Sequence, residues 1–230
     1  MANCDFDFLV VDAEHSAVDL PQAQALFQAI KSGNPNCKPF VRLPGNDYTI
    51  TKRYMDAGAV GVIAPLINCA GDAKELVLAV KYPPEGERGV GFCRDNLYGL
   101  KLVDRVQSAN KETFICVQIE HKVAVENIDE ILSVKGIDAA FIGPYDLSAS
   151  MGITAQFENP DYQTAVAKIL SACNKYNVMA GIHVVQPDVD EVTQRIDQGF
   201  KMIGFSLDVT MISHISINSL KEIRKKLGEE

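Results

Sequence analysis

In FICVQIEHKVAVENIDEILSVKGIDAAFIGPYD (residues 114–146), two short apolar runs rich in β-branched and aromatic residues flank a helical pattern. FICVQIE (114–120) and AAFIGP (139–144) are strand-length, and VENIDEILSV between them carries the three-to-four spacing of an amphipathic helix. This is a strand, crossover helix and parallel strand, so both strands end at the same rim. Each run delivers a carboxylate there: Glu120 after the first, Asp146 just past the second.

Reading outward, the same alternation repeats. FDFLVVD (6–12), PFVRLP (39–44), VGVIAPL (60–66), MAGIHVV (179–185) and MIGFSLD (202–208) are further strand candidates, giving seven in all. Helical patterns separate them: PQAQALFQAIKSG, ITKRYMDAG, AKELVLAVKY, YQTAVAKILSACNKYN and VDEVTQRIDQG. Gly33, Gly58 and Gly199 stand where left-handed C-terminal caps are expected. No linker, low-complexity tract or charge block divides residues 1–230, so a single domain is expected. Near-uniform strand and helix alternation favours a TIM-type (β/α) barrel over an open doubly wound sheet.

In such a barrel the strand C-termini build the active site. Asp12, Glu14 and His15, then Arg42, Gln118, Glu120, Asp146, His183, Ser206 and Asp208 all fall at those ends. Two carboxylates alone would leave a bound cation several positions for water and substrate, as suits Mg²⁺ or Mn²⁺ rather than a closed structural zinc. A 2-oxo acid could chelate such an ion, with Arg42 adding charge-assisted hydrogen bonds and His15 moving a proton near neutral pH. The alternatives are ordinary structural roles. Glu120 and Asp146 could cap helices or pair with Lys122, Arg42 could be a salt-bridge partner, and His15 a loop histidine. His183 is assigned no role, and the glycines of RGVG (88–91) lack a phosphate-loop spacing.

Composition sets further bounds. Lys and Arg total 22 against 30 Asp and Glu, a net charge of −8, and no basic stripe offers a nucleic-acid or anionic-membrane surface. The six cysteines form no close pair and read as reduced thiols. No run reaches membrane-spanning length and the N-terminus lacks a signal-peptide pattern, so a cytoplasmic protein is expected.

The motifs DFLVVDAEHS, VRLPGNDYTITKRYMDAGAVGVIAP, KYPPEGERGVG, VQIEHKVAVENIDEIL and GIDAAFIGPYDLSASMG, in this order over most of residues 5–152, resemble the HpcH/HpaI family of metal-dependent 2-oxo-acid aldolases. The resemblance implies a barrel of the pyruvate/phosphoenolpyruvate-binding kind and cleavage of a 4-hydroxy-2-oxo acid to pyruvate and an aldehyde. It implies a divalent metal (Mg²⁺, Mn²⁺ or Co²⁺) on Glu120 and Asp146, His15 as proton acceptor, and Arg42 stabilising the transition state. It further implies that Asp56 raises the basicity of the histidine, and that Gln118, Asp146 and the backbone at Tyr145 bind substrate. Many relatives have Ala where Tyr145 stands.

Family members carry one more strand and helix before the segment equivalent to FDFLVVD, so the expected fold is a barrel lacking its first β/α unit, with exposed edges on its first and last strands. The final stretch SINSLKEIRKKLGEE (216–230) reads as an amphipathic helix, which the resemblance places at a homo-oligomer contact, in a hexamer. Three rival readings stand beside the aldolase: an acyl-CoA or dicarboxylic-acid lyase, a Schiff-base aldolase using Lys122, and a non-catalytic binding or assembly protein.

Overall fold

The computed structural model describes residues 1–228. The chain opens with β1 (Phe8–Asp12), α1 (Leu20–Gly33), β2 (Lys38–Arg42), α2 (Tyr48–Asp56), β3 (Gly61–Ala64) and α3 (Ala70–Val80). A long loop with one 3-10 turn leads to α4 (Leu102–Glu112), β4 (Phe114–Ile119), α5 (Lys122–Glu126), α6 (Ile128–Leu132), β5 (Ala139–Ile142) and α7 (Pro144–Ser150). Then come α8 (Pro160–Tyr176), β6 (Met179–Val184), α9 (Val189–Asp197), β7 (Met202–Phe205) and α10 (Asp208–Leu227).

All seven strands form one parallel sheet in chain order, β1 to β7. The sheet curls. Phe40 of β2 and Met202 of β7 belong to one buried cluster with Ile63, Cys116, Ala139 and Phe141, yet five inter-strand steps would separate β2 from β7 by roughly 24 Å in a flat sheet. Phe8 stacks on Phe40 at 5.0 Å and Phe40 on Phe114 at 5.2 Å, filling the concave face beneath the strand ends. Gly61 makes that possible: a Cβ there would lie 2.5 Å from the Phe40 ring. The curled seven-stranded sheet is consistent with a TIM-type architecture, and among the described residues β1 and β7 do not pair with each other.

The convex face carries the larger core. Val41, Val62, Ile115, Val117, Ile142 and Ile182 pack there against helix residues such as Phe27, Leu76, Ile128 and Ile169. Each such fully buried side chain is worth about 1.5–3 kcal/mol of transfer free energy. Because strand side chains alternate, the opposite set points to the concave face: Asp12, Arg42, Gln118, Phe141, His183 and Gly204.

The helices depart from the sequence reading in five places. VENIDEILSV breaks at Asn127 into α5 and α6, where the Asn127 side chain donates to the Asn68 carbonyl at 2.9 Å. The α4 segment LVDRVQSANKE and the short α7 went unread, since few apolar positions mark them. Gly58 and Gly199 take positive φ as expected, but α1 runs through Gly33 and is capped by extended Asn34. The C-terminal helix starts eight residues earlier than 216, and Glu229 and Glu230 lie outside the described residues.

Candidate active site

Asp12 and Arg42 end β1 and β2 as register partners, so alternation aims both side chains at the concave face. They form a bidentate pair: Arg42 Nε donates to Asp12 Oδ1 at 2.9 Å and Nη2 to Oδ2 at 2.6 Å. The same carboxylate accepts from the backbone N–H groups of Glu14 at 3.0 Å and His15 at 3.3 Å. Burial alone would raise the Asp12 carboxyl, but the Arg42 bond and charge and the two amides hold it below the usual carboxylate value. One side chain therefore fixes both the guanidinium and the turn that carries His15.

Glu14 sits in that turn with its Oε2 3.3 Å from Arg42 Nε and 3.8 Å from His15 Nε2. Oε2 is buried without a properly angled hydrogen bond. Burial, the largest cause, outweighs the opposing charge of Arg42 and, with the charges of Glu120 and Asp12 added against that of His15, pushes the Glu14 carboxyl up. His15 itself is open to solvent, with its side chain 63% exposed. Protons and substrate can reach it.

Glu120 lies just past β4 and is buried at 7% exposure. Its Oε1 accepts from Leu66 N–H at 2.7 Å, and its Oε2 is bonded by the Gln118 side-chain amide. Arg42 is held in its charged form despite burial by Asp12, Glu14 and Glu120, which places Glu120 in the same electrostatic chamber. Gly143 keeps one side of this carboxylate open: a Cβ there would stand 3.2 Å from Glu120 Cβ and 3.7 Å from its Oε2. Three residues on, Asp146 projects from the first turn of α7, where helical geometry leaves the N–H groups of Tyr145 and Asp146 without intrahelical acceptors.

These groups fit a divalent cation. The fit rests on an open cradle beside Glu120 and an orphaned Glu14 oxygen that feels its charge, with the Asp146 carboxylate exposed in the first turn of the helix after β5. Among the described residues no three His, Cys, Asp or Glu side chains are grouped so as to hold a metal ion; two carboxylates alone would leave a hard ion positions for water and substrate.

Other expected residues fall differently. Asp56 is the last residue of α2 and pairs with the fully buried Arg88 at 2.7 Å. It is not brought to His15, because α2 runs away from the rim toward the start of β3. Arg88, in the loop read as RGVG, also reaches Asp95 at 3.2 Å and stacks over Tyr82 at 4.5 Å. Tyr145 turns its ring edge-on to Phe157 at 5.2 Å but stays half exposed. Lys122 is exposed at the start of α5, whereas Schiff-base chemistry calls for a desolvated amine.

Two relationships escaped the sequence reading, although both residues were placed at the strand ends. The Asp12 clamp on Arg42 was visible in principle, since two residues ending adjacent parallel strands are register neighbours. The nearness of His183 to Arg42 and Asp12 follows only from the curl that carries β6 toward β2.

The chain matches the HpcH/HpaI aldolase/citrate lyase family over residues 1–215. It is 34% identical to a hydroxypyruvate/pyruvate aldolase of Roseobacter denitrificans, covering 98% of this chain and 86% of that protein. It is 32% identical to a 4-hydroxy-2-oxo-heptane-1,7-dioate aldolase of Shigella boydii, covering 93% and 80%. A crystal structure of an HpcH/HpaI aldolase/citrate lyase family protein from Burkholderia cenocepacia superposes with a TM-score of 0.92 at 32% identity, covering 97% of this chain and 88% of that one. The chain belongs to the HpcH/HpaI aldolase/citrate lyase family. Among the described residues, no helix is long and apolar enough to cross a membrane.

Proposed function

We propose that this member of the HpcH/HpaI family is a class II aldolase, a carbon–carbon lyase that cleaves 4-hydroxy-2-oxo acids to pyruvate and an aldehyde and runs the reverse addition. Names of its relatives and the chemistry of the strand ends support the same reaction. The observation that carries it is the shared Asp12 carboxylate, which aims Arg42 at the chamber of Glu120 while holding the turn of His15.

Glu120 and Asp146 would hold a divalent cation, Mg²⁺, Mn²⁺ or Co²⁺, which supplies Lewis-acid polarisation of the 2-oxo acid. Gln118, locked to Glu120, and the first-turn amide of Tyr145 orient the substrate carboxylate and ketone. His15 takes the proton from the 4-hydroxyl, directly or through a water. The C4–O bond then becomes the aldehyde carbonyl as the C3–C4 bond breaks, and its electron pair moves to C3 and the 2-oxo oxygen. Arg42 stabilises the negative charge that develops there. Protonation at C3 yields pyruvate.

The role implied for Asp56 stays a proposal of a different kind, since within one chain it serves Arg88. The unpaired edges of β1 and β7 support the reading of a barrel with one β/α unit's place open. A homo-oligomer, hexameric by the family resemblance, is supported by α10: none of its residues is buried, and Ile212, Leu220, Ile223 and Leu227 are exposed along it.

Pyruvate release from a panel of 4-hydroxy-2-oxo acids, with EDTA and then with metal added back, tests the reaction. Release that stops on chelation and returns with metal is expected. Unchanged release in EDTA overturns the metal assignment, and no release from metal-loaded, folded protein overturns the activity.

A further inference from the structure

We propose that His183 selects the acceptor aldehyde, favouring one with a hydroxyl next to its carbonyl over alkyl or carboxylate-bearing aldehydes. This rests on the aldolase reading and names its second substrate.

His183 is the fifth residue of β6 and points to the concave face, paired in register with Gly204. Its ring lies against that glycine: a Cβ at 204 would stand 3.4 Å from His183 Cδ2 and 3.0 Å from Phe141 Cζ. The absent side chain makes the imidazole's berth. Nε2 lies 3.3 Å from the Ser206 carbonyl oxygen, an atom that can only accept, so Nε2 carries the proton. Nδ1 is left as an acceptor. It takes no hydrogen bond among the described residues, and it is not among the chain's orphaned buried atoms, so it keeps contact with solvent on a residue that belongs to the concave face.

The charged groups that face the ring are Arg42 of β2 and Asp12 of β1. Burial, the largest cause, together with Arg42, holds the imidazole below its ordinary pKa despite the Ser206 bond and Asp12. The site thus presents a neutral, fixed acceptor beside the guanidinium that would stabilise the departing enolate.

In the proposed reaction the pyruvate half occupies the side of Glu120, Gln118 and Asp146, on β4 and beyond β5. The half released as aldehyde must lie away from it, across Arg42, toward β1 and β6. An acceptor-only nitrogen there needs a donor from the ligand. A hydroxyl on the carbon next to the aldehyde supplies one. An alkyl group leaves Nδ1 desolvated and unpaired, and a carboxylate sets lone pair against lone pair. Switching tautomer does not help, because an unprotonated Nε2 would then face the Ser206 carbonyl.

The test compares kcat/KM for cleavage of 4,5-dihydroxy-2-oxopentanoate, 4-hydroxy-2-oxopentanoate and 4-hydroxy-2-oxoheptanedioate, which release glycolaldehyde, acetaldehyde and succinic semialdehyde beside pyruvate. The unaltered protein is expected to favour the dihydroxy substrate about tenfold. His183→Leu should bring that ratio close to unity, and His183→Asn, which can return an acceptor near the Nδ1 position, should keep part of it. Metal-dependent exchange of the pyruvate methyl protons reads the half-site that His183 does not touch, and should stay within about threefold in both variants. A wild-type protein without the preference, or an unchanged ratio in His183→Leu with exchange intact, overturns the proposal. Absence of exchange and of all cleavage in the wild-type protein overturns the aldolase reading instead, and this inference with it.

Discussion

The strand ends from β1 to β5 and the segment from β6 to α10 are held in opposite ways. Around the former, side chains tie distant parts of the sequence together: Arg42 to Asp12, Leu66 N–H to Glu120, Asn127 to Asn68. In the latter, α9 and α10 bury no residue at all. The first region ties its polar side chains into one network within the chain. In the second, β6 and β7 are held by the sheet while α10 leaves apolar side chains facing water, surface of the kind that a partner would cover.

The largest expected effect falls on Glu120. Glu120→Gln keeps an acceptor for Leu66 N–H, so folding should persist, while the charge that would hold a cation is lost. Activity is expected to fall about 10³-fold or more, with Mn²⁺ affinity falling alongside in titration calorimetry. Unchanged metal affinity in a folded variant would remove Glu120 from the metal site and leave the comparison without its central carboxylate.

Asp12 comes next because it acts through Arg42 and His15 rather than on the substrate. Asp12→Asn cannot match the fork of the guanidinium with two carboxylate oxygens, so Arg42 and the His15 turn loosen together. A fall in kcat of about 10²-fold is expected, with Mn²⁺ affinity nearly unchanged. A structural role alone would lower the melting temperature without that split between kcat and metal binding. Since the folded Asp12 carboxyl titrates below its ordinary 3.8, its contribution to stability is fully present above that pH. The stability gap between wild type and Asp12→Asn should therefore persist at pH 5 and narrow only as the pH drops below about 3.8, seen in denaturant midpoints.

These same residues show what sequence could and could not reveal. All seven strands were legible because β-branched runs with turn residues between them have few other readings, and Glu120, Asp146 and Arg42 follow from strand ends in a parallel sheet. The pairing of Asp56 was not legible, because its partner Arg88 is encoded 32 positions away in an irregular loop. His183 was legible as a rim residue but not as a neighbour of Arg42, because neither its tautomer nor that nearness exists until the sheet curls.

The smallest effect on the single chain is expected in α10. Ile212 is 63% exposed and Ile223 51%, so Ile212→Asp with Ile223→Asp should leave the chain's own folding within about 0.5 kcal/mol per site. If the apolar stripe is covered by a second copy, two buried carboxylates would be intolerable there, and light scattering should show the particle mass falling to a smaller species at unchanged helix content. An unchanged mass would mean that the stripe is not the assembly surface. The contrast between a cross-linked rim and a C-terminal helix awaiting a cover would then fail on its second half, because a segment indifferent to new charge has no partner to lose.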